Sequence, residues 1–325
     1  MCVVLPVCYT SLSNVGAKMK FVTLVFVLFS FSIALNPKLP PGGNFDLSIW
    51  SLQLPTGSGT SPTTIKPMQL AGESGYSDSN YFYTDKADGA ITFMDPAMGI
   101  TTSGSLHCRT ELREMANWPA TGTNTLTVTG ELVQVGGGAS GHVSVGQVFD
   151  YSTSKPLCEL EYYNTGEFKV LLEKTSAGGS ADFYSLGAQT IGNKYSFTLS
   201  LTGTTLTITV NGSTTTYTPD KSFTGAQFYF KCGAYDQTAI KGVPSITPYT
   251  VVKVYSLNVL HSAVVQIVRQ NSARHYLQPT LTFIEANNSV AANNKGQTTL
   301  LDLRGRSIQT FTTSKRPSAI GQSAY

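Results

Sequence analysis

The chain has 325 residues, of which 41% are hydrophobic and only 13% are charged, and its formal net charge is +3. That length is enough for one large domain or two small ones. The basic residues are scattered and form no run, so the composition argues against a nucleic-acid-binding protein and favours a β-rich secreted one.

The N-terminal region has the pattern of an export signal. Residues 1–18 are unlike a folded segment, and Met19 opens a second stretch whose apolar run ends at Ala34. The run is too short to span a bilayer and ends in small residues that suit signal-peptide cleavage. We predict that 1–18 is an upstream extension outside the native protein and that 19–34 is a signal peptide. The mature protein would be secreted, extracellular and unattached to a membrane; the alternative is a buried N-terminal strand or anchor.

Short alternating runs separated by turn signals follow one another from Phe45 to about Leu260. Period-two alternation is typical of half-buried strands. The clearest runs are 126–135, 167–173, 195–201 and 205–210, and Asn211-Gly212 predicts a tight hairpin after the last of them. We predict an all-β domain over 35–262, a two-sheet antiparallel β-sandwich whose curved inner sheet forms a concave substrate cleft. The alternation is then lost, and 263–325 is interpreted as a disordered or artefactual tail.

Three predicted strands carry candidate site residues on one face. Read as a strand, 229–237 divides its side chains between a polar face and an apolar face. The polar face holds Tyr229, Lys231, Tyr235 and Gln237. In 109–114 the corresponding polar face holds Arg109, Glu111 and Arg113. The third strand, 143–149, has Gln147 as its only long polar side chain. Positive charge, amide donors and a phenol together suit the binding and deprotonation of a sugar uronate.

At these residues the chain resembles a known family. The segments RTELRE at 109–114, GQV at 146–148 and YFKCGAYDQ at 229–237 resemble the three signature strands of the family-seven polysaccharide lyases, the alginate lyases of the alginate lyase 2 superfamily. The segment 45–55 is similar to the opening strand of that domain. The resemblance implies a β-jelly-roll, concanavalin-like fold. One position departs from the family pattern, which places a histidine two residues after the glutamine, where this chain has Phe149.

The resemblance implies a polysaccharide lyase that cleaves a polyuronate, such as alginate, a mannuronate-rich polymer or glucuronan, by β-elimination. Removing the C5 proton requires a stabilised enolate, and Arg109 and Gln147 are implied as the clamp on the carboxylate. Tyr235 is implied as the proton carrier. A phenol with a pKa of about 10 would need Lys231 or Arg109 nearby to act as a base. The residues implied to bind substrate are Glu111, Arg113, Lys231, Gln237 and His107, with Glu111 orienting the arginines.

Phe149 bears on which polymer is cleaved. In mannuronate and glucuronate the C5 hydrogen and the C4 oxygen lie on the same side of the ring, so one group can take the proton and deliver it to the leaving oxygen. Guluronate has them on opposite sides and needs a second base, which Phe149 cannot be. We therefore predict activity on mannuronate-rich or glucuronate polymers and little on guluronate blocks. His107 is the residue that would substitute, since His142 has the wrong parity relative to Gln147.

The sequence indicates few ligands besides the acidic polysaccharide. No cluster of His, Asp or Cys has metal-ligand spacing, so we expect no metal and no cofactor. The protein is expected to act as a monomer. Cys108 and Cys232 fall on the core side of their strands, where they form either a disulfide or two buried free thiols.

Two other functions fit parts of the sequence. Glu159-Leu160-Glu161 places two carboxylates on one strand face about 7 Å apart, similar to the acid pair of a sandwich-fold glycoside hydrolase. Phe149 is also compatible with a jelly-roll protein that binds polysaccharide and has lost catalysis.

Overall fold

Two antiparallel β-sheets pack face to face in the computed structural model, which describes residues 35–262, 297–301 and 307–312. The strands in chain order are β1 (Trp50–Ser58), β2 (Ser61–Ile65), β3 (Phe82–Thr84), β4 (Ile91–Asp95), β5 (Met98–Gly99), β6 (Thr110–Glu114), β7 (Trp118–Pro119), β8 (Thr123–Gln134), β9 (His142–Asp150), β10 (Lys155–Tyr163), β11 (Glu167–Glu173), β12 (Ala181–Ala188), β13 (Lys194–Thr202), β14 (Thr205–Val210), β15 (Ser213–Tyr217), β16 (Gln227–Asp236), β17 (Ile240–Lys241), β18 (Thr250–Ser262), β19 (Gln297–Leu301) and β20 (Ser307–Thr312). Helical structure within the described residues is limited to α1 (Pro41–Asn44), α2 (Pro67–Leu70) and the 3₁₀ turns Gly138–Ser140 and Lys221–Phe223. None of these helices is long and apolar enough to cross a membrane.

Sheet A has nine strands in the order β12-β11-β10-β9-β16-β6-β1-β2, with β7 also paired to β16. Sheet B has seven strands in the order β15-β14-β13-β8-β18-β4-β3. Outside the two sheets, β5 and β17 form a short parallel pair and β19 and β20 form an antiparallel hairpin. Two large antiparallel sheets with very little helix confirm the predicted β-sandwich.

The core between the sheets is built from the apolar face of each strand. In β16 the side chains of Phe228, Phe230 and Cys232 are at most 1% exposed, and burying each phenylalanine contributes roughly 1.5–3 kcal/mol. The sheets approach so closely that a Cβ at Gly146 of β9 would lie 2.7 Å from the ring of Phe197 in sheet B. Because strand side chains alternate, this apolar face fixes which side chains of sheet A point away from sheet B.

The position of β16 brings the three predicted site strands together. It lies between β9 and β6 in sheet A, although the three strands are far apart in the chain. Gly233 of β16 has a φ of 152°, and a Cβ there would lie 2.6 Å from the carbonyl oxygen of Thr110. The close approach of β6 to β16 therefore requires a glycine at this point.

The predicted strands and hairpin are confirmed, with one change of boundary. The four clearest runs correspond to β8, β11, β13 and β14, and Asn211-Gly212 forms the hairpin turn into β15 with positive φ at both residues. The opening strand begins at Trp50 rather than near residue 45 because Asp46 closes a local turn. Its carboxylate accepts hydrogen bonds from the backbone N–H of Ser48, at 3.0 Å, and from the Ser48 hydroxyl. The predictions for 1–34 and for most of 263–325 lie outside the described residues.

The three cysteines of the domain, Cys108, Cys158 and Cys232, are all buried and free. The disulfide considered between Cys108 and Cys232 is therefore wrong, and the alternative of two buried thiols is correct. Cys232 lies opposite Leu112 of β6, and Cys108 lies four residues before Leu112, about 13 Å away by strand rise. A disulfide needs Cα atoms within about 7 Å of each other.

Candidate active site

The face of sheet A that points away from sheet B, here called the site face, carries a row of long polar side chains. Lys231 of β16 lies opposite Gln147 of β9 on one side and Arg113 of β6 on the other. Gln147 in turn lies opposite Glu159 of β10. Directly opposite residues of antiparallel strands point to the same face. The row therefore crosses four adjacent strands.

Glu111 is the centre of the site face and is only 2% exposed. Its Oε2 lies 3.1 Å from Nη1 of Arg109 and 3.2 Å from Nζ of Lys231. Its Oε1 accepts a hydrogen bond of 2.5 Å from Nε2 of Gln147. One buried carboxylate thus holds two cations and an amide in fixed positions, as charge-assisted hydrogen bonds do.

Arg113 is not among the groups that Glu111 holds, so Glu111 contacts only one of the two arginines that it was expected to orient, Arg109. The Arg113 guanidinium lies 4.1 Å from the centre of the Tyr229 ring and donates to Oδ1 of Asn117 at 3.1 Å. The two arginines occupy the same face of β6 but are separated along the strand, and Glu111 reaches towards β16 and β9 instead.

Tyr235 is 8% exposed and lies against Arg109, whose guanidinium carbon is 3.5 Å from the ring centre. The Tyr235 hydroxyl is 3.1 Å from Oγ of Ser105, and that Oγ also accepts a 2.9 Å hydrogen bond from Nη2 of Arg109. Ser105 was not predicted from the sequence, because it lies in a loop without alternation. It links the phenol to the guanidinium through a single oxygen atom.

Nearby positive charge was expected to lower the pKa of the Tyr235 phenol, and the structure shows the opposite shift. Burial raises the pKa of Tyr235, and the lowering effects of the Arg109 charge and of the Ser105 hydrogen bond do not cancel it. Lys231 is directed to Glu111 instead. Burial, assisted by Arg109, lowers the pKa of Lys231 to about 8, although Glu111 opposes this change. The phenol is therefore protonated at neutral pH in the ligand-free protein.

Glu159 and Glu161 share the site face, as predicted. Burial, reinforced by the neighbouring Glu161, raises the pKa of Glu159 to about 7. Glu161 lies opposite Ser144 of β9, and its carboxylate accepts a 2.7 Å hydrogen bond from the hydroxyl of Tyr163. The two carboxyls are thus in different surroundings, and Glu159 is the one next to the Gln147 position.

Several buried polar atoms of the site face have no hydrogen-bond partner among the described residues. They are Nε2 of Gln53, Nε of Arg109, Oγ of Ser144, Oε1 of Gln147 and Oε2 of Glu159. An unpaired buried polar group costs about 1–3 kcal/mol. Five such atoms on one face are suited to a polar ligand or to water. Four others belong to sheet B, on Thr84, Thr92, Asp95 and Tyr195. Within the described residues, no group of three or more His, Cys, Asp and Glu side chains is arranged to hold a metal ion.

Phe149 and His107 flank the site on opposite sides. Phe149 contacts the Tyr229 ring, with 5.3 Å between ring centres, and lies 4.3 Å from Nζ of Lys231. His107 lies beside Tyr235, with 6.1 Å between ring centres. Its Nδ1 is 2.6 Å from the carbonyl oxygen of Ala239, so Nδ1 carries a proton and Nε2 is the nitrogen left to accept one.

The parity predicted for His142 is wrong. A β-bulge places one extra residue, Val145, in β9 between Gly146, which lies opposite Leu160, and Ser144, which lies opposite Glu161. The extra residue reverses the alternation, so His142 points to the site face with Gln147. There its ring stacks on Tyr163, with 4.5 Å between ring centres.

Gln237 lies just beyond the end of β16, at the edge of the site face. Its backbone N–H donates to the carbonyl oxygen of His142, and its side-chain amide donates to the carbonyl oxygen of Tyr235 at 3.1 Å. These bonds hold Gln237 beside Tyr235 and leave its side-chain oxygen and the second N–H of its amide for a ligand.

The comparisons with known proteins agree with this geometry. A family model described as alginate lyase matches residues 45–261. Over 94 residues the chain is 34% identical to an alginate lyase of Klebsiella pneumoniae, a match that covers 28% of this chain and 30% of that protein's length.

Solved structures extend the likeness to the whole domain. Alginate lyase A1-II′, a member of polysaccharide lyase family-7, is 32% identical, with a TM-score of 0.59 over 69% of this chain and 100% of that chain. Variants of that enzyme have also been solved with a product (GGG) and with a substrate (GGMG). An alginate lyase from Pseudomonas aeruginosa is 25% identical, with a TM-score of 0.59 over 67% of this chain and 100% of its own. The resemblance predicted from the three signature strands and the jelly-roll fold are confirmed. This chain belongs to the alginate lyase family, within the polysaccharide lyases.

Proposed function

We propose that this chain cleaves a polyuronate by β-elimination, with Tyr235 as the proton carrier. The observation that carries the proposal is the contact of Tyr235 with Arg109 and Ser105, where Arg109 is held by the same Glu111 that holds Gln147. A phenol, a guanidinium and an amide at one point of a buried face are the groups needed to remove a proton next to a carboxylate. The complexes of alginate lyase A1-II′ with a product and a substrate support an acidic polysaccharide as the ligand.

In the proposed reaction, the phenolate oxygen of Tyr235 takes the C5 proton of a uronate whose carboxylate faces Arg109. The electron pair of the C5–H bond passes into the carboxylate, and Arg109 neutralises the resulting enolate. That pair then forms the C4–C5 double bond as the C4–O4 bond breaks. The leaving oxygen takes the proton from Tyr235, which returns to the phenolate, so one group serves as base and then as acid.

Arg109 and Gln147 contribute differently to the carboxylate clamp. The Nε–H of Arg109 has no partner among the described residues, so it is free to donate to the substrate. The Nε2 of Gln147 donates one of its two N–H groups to Glu111, and its Oε1 is buried with no partner among the described residues. The second N–H of the amide is left to donate to the substrate carboxylate. Arg113, Lys231, Gln237 and His107 are the proposed contacts to neighbouring sugar residues.

The proposed polymer is rich in mannuronate or is a glucuronate polymer. Phe149 packs against Tyr229 and Lys231 and supplies no base. Same-side elimination by Tyr235 alone therefore fits the site better than opposite-side elimination. Two histidines, His107 and His142, face the site and are the candidates for a second base on guluronate.

The hydrolase alternative loses support, because the chain belongs to a lyase family and Glu161 is engaged by Tyr163. One assay distinguishes a lyase from a non-catalytic binding protein. The protein is incubated with alginate, glucuronan and pectate, and ultraviolet absorbance is recorded together with reducing ends. Absorbance that rises with each new reducing end identifies the unsaturated uronate of a lyase. Reducing ends without absorbance identify a hydrolase, and binding with neither identifies a binding module.

We also propose that the protein is secreted and acts as a monomer. The support for secretion is the signal-peptide pattern of 19–34. N-terminal sequencing of protein recovered from the culture medium tests it, with a first residue at position 35 as the expected result. Recovery of the uncleaved chain inside the cells would contradict it.

A further inference from the structure

The site face continues beyond the row of Lys231, Gln147 and Glu159. It extends onto β11 and β12, the two outermost strands at that edge of sheet A. Leu171 of β11 lies opposite Glu159 of β10, and Phe183 of β12 lies opposite Leu171. Phe183 therefore belongs to the same row as Gln147 and points to the same side of the sheet. Four strand spacings, about 19 Å, separate β12 from the strand of Tyr235.

Phe183 differs from its neighbour in what it contacts. Tyr184 points to the opposite side of β12 and packs against Tyr217, with 5.0 Å between ring centres. Phe183 is 54% exposed, and its ring makes no aromatic contact within the part of the chain that the structure describes. A large apolar ring on an edge strand is a hazard for aggregation, and this ring lies in line with Gln147, Glu159 and the unpartnered polar atoms of the site face.

Two further observations place a polysaccharide across this row. The unpartnered buried atoms of the site face run across the strands, from Gln53 on β1 to Glu159 on β10. Beyond them, Leu171 of β11 is only partly buried and lies between Glu159 and Phe183. An exposed aromatic ring beside an apolar side chain is complementary to the C–H face of a uronate. Lys169 of β11 takes no part, because its Nζ is paired with Oε2 of Glu167 at 3.3 Å.

We propose that Phe183 and Leu171 form a distal subsite that binds a further sugar residue of the same polyuronate. The C–H face of the sugar packs on the Phe183 ring and on Leu171. This inference rests on the proposed function, because it extends the same substrate. Binding at this distance from Tyr235 is equal in the ground state and the transition state, so it lowers KM and leaves kcat unchanged.

The test compares substrates of two lengths. Initial rates of the native protein and of Phe183→Ala are measured on long-chain alginate and on an alginate trisaccharide, which is too short to reach from Tyr235 to Phe183. We expect KM for the long chain to rise roughly fivefold to tenfold in Phe183→Ala, with kcat unchanged and the trisaccharide unaffected. Phe183→Trp should retain the native KM. The matched control is Leu260→Ala, because Leu260 is 57% exposed but lies on sheet B.

An unchanged KM for the long chain in Phe183→Ala would overturn the subsite, and so would an equal rise for both substrates. A second arm does not depend on turnover. The retardation of Tyr235→Phe in a gel containing alginate is compared with that of the double variant Tyr235→Phe, Phe183→Ala. Weaker retardation of the double variant supports the subsite even if the native protein proves not to be a lyase, and equal retardation overturns it.

Discussion

The guanidinium carbon of Arg109 lies 3.5 Å from the centre of the Tyr235 ring. The cation favours the phenolate, but burial of the ring outweighs it and the pKa of Tyr235 is raised. A phenolate with a raised pKa is a strong base that is present as a small fraction near neutral pH. In the proposed reaction the same guanidinium also faces the enolate. The Arg109–Tyr235 contact therefore acts both on the pKa of the proposed base and on the proposed enolate charge.

Arg109→Lys keeps the charge but removes the planar group that stacks on Tyr235 and bonds both Ser105 and Glu111. We expect kcat/KM on alginate to fall by about 100-fold or more. Arg113→Lys is the matched control, since Arg113 lies on the same strand face but does not contact Glu111, and a loss below about tenfold is expected. Equal losses in the two variants would show that Arg109 has no special role.

Ser105→Ala removes the oxygen that links Arg109 to the Tyr235 hydroxyl. The hydrogen bond from Ser105 favours the phenolate, so its loss should raise the pKa of Tyr235 further and reduce kcat about tenfold at neutral pH. The rising limb of kcat against pH should move to higher pH, with KM unchanged. Ser105→Thr should restore kcat at neutral pH and the native position of the rising limb. A change in KM alone, or an equal defect in Thr and Ala variants, would contradict this positioning role.

Glu159→Gln should stabilise the protein at alkaline pH. Burial raises the pKa of Glu159 from 4.5 to about 7, so the folded protein holds this proton more tightly than the unfolded chain. The associated stability is present below about pH 4.5 and is lost as pH rises through about 7. Removing the charge should then raise the free energy of unfolding at pH 8 by up to about 3 kcal/mol and change it little at pH 5.

Thermal unfolding of Glu159→Gln at pH 5 and pH 8 checks this. Glu73→Gln is the control, because Glu73 is exposed and its replacement should leave Tm unchanged at both values. A Tm of Glu159→Gln that is equal to or below the native value at pH 8 would show that the carboxylate of Glu159 is stabilised in the fold.

The choice of polymer is tested with purified mannuronate, guluronate and glucuronate polymers. Same-side elimination by Tyr235 predicts the higher initial rates on mannuronate and glucuronate. If guluronate is cleaved slowly, His107→Ala or His142→Ala should abolish that residual rate. The rate on mannuronate should stay within about threefold of the native rate, because only opposite-side elimination needs a second base. Strong guluronate cleavage that survives both substitutions would contradict the assignment.

The sequence predicts most of the site because strand side chains alternate. Alternation alone places Arg109 and Glu111 on one face of β6, and Lys231 and Tyr235 on one face of β16. The pairing of these strands with β9 is non-local, and it was available only through the resemblance to the alginate lyases. The contacts of Glu111 with Lys231 and Gln147 depend on that pairing and on register, so no local pattern shows them.

Two features of the site had no signal that alternation can detect. Ser105 lies in a loop, and its contact with Tyr235 joins positions 130 residues apart in the chain. The bulge at Val145 adds one residue to β9 and reverses the faces of all residues before it, which is why the parity of His142 was predicted wrongly. A bulge is decided by the pairing of neighbouring strands, and an apolar valine next to a glycine does not mark it.

The central claim is that Tyr235 carries the proton, and Tyr235→Phe tests it most directly. The substitution removes one oxygen atom and keeps the ring that Arg109 stacks on, so Tm and the retardation in an alginate gel should stay near the native values. The rate of formation of unsaturated uronate from alginate should fall at least about 100-fold. A variant that folds and binds normally and retains more than about a tenth of the native rate would contradict the role assigned to Tyr235.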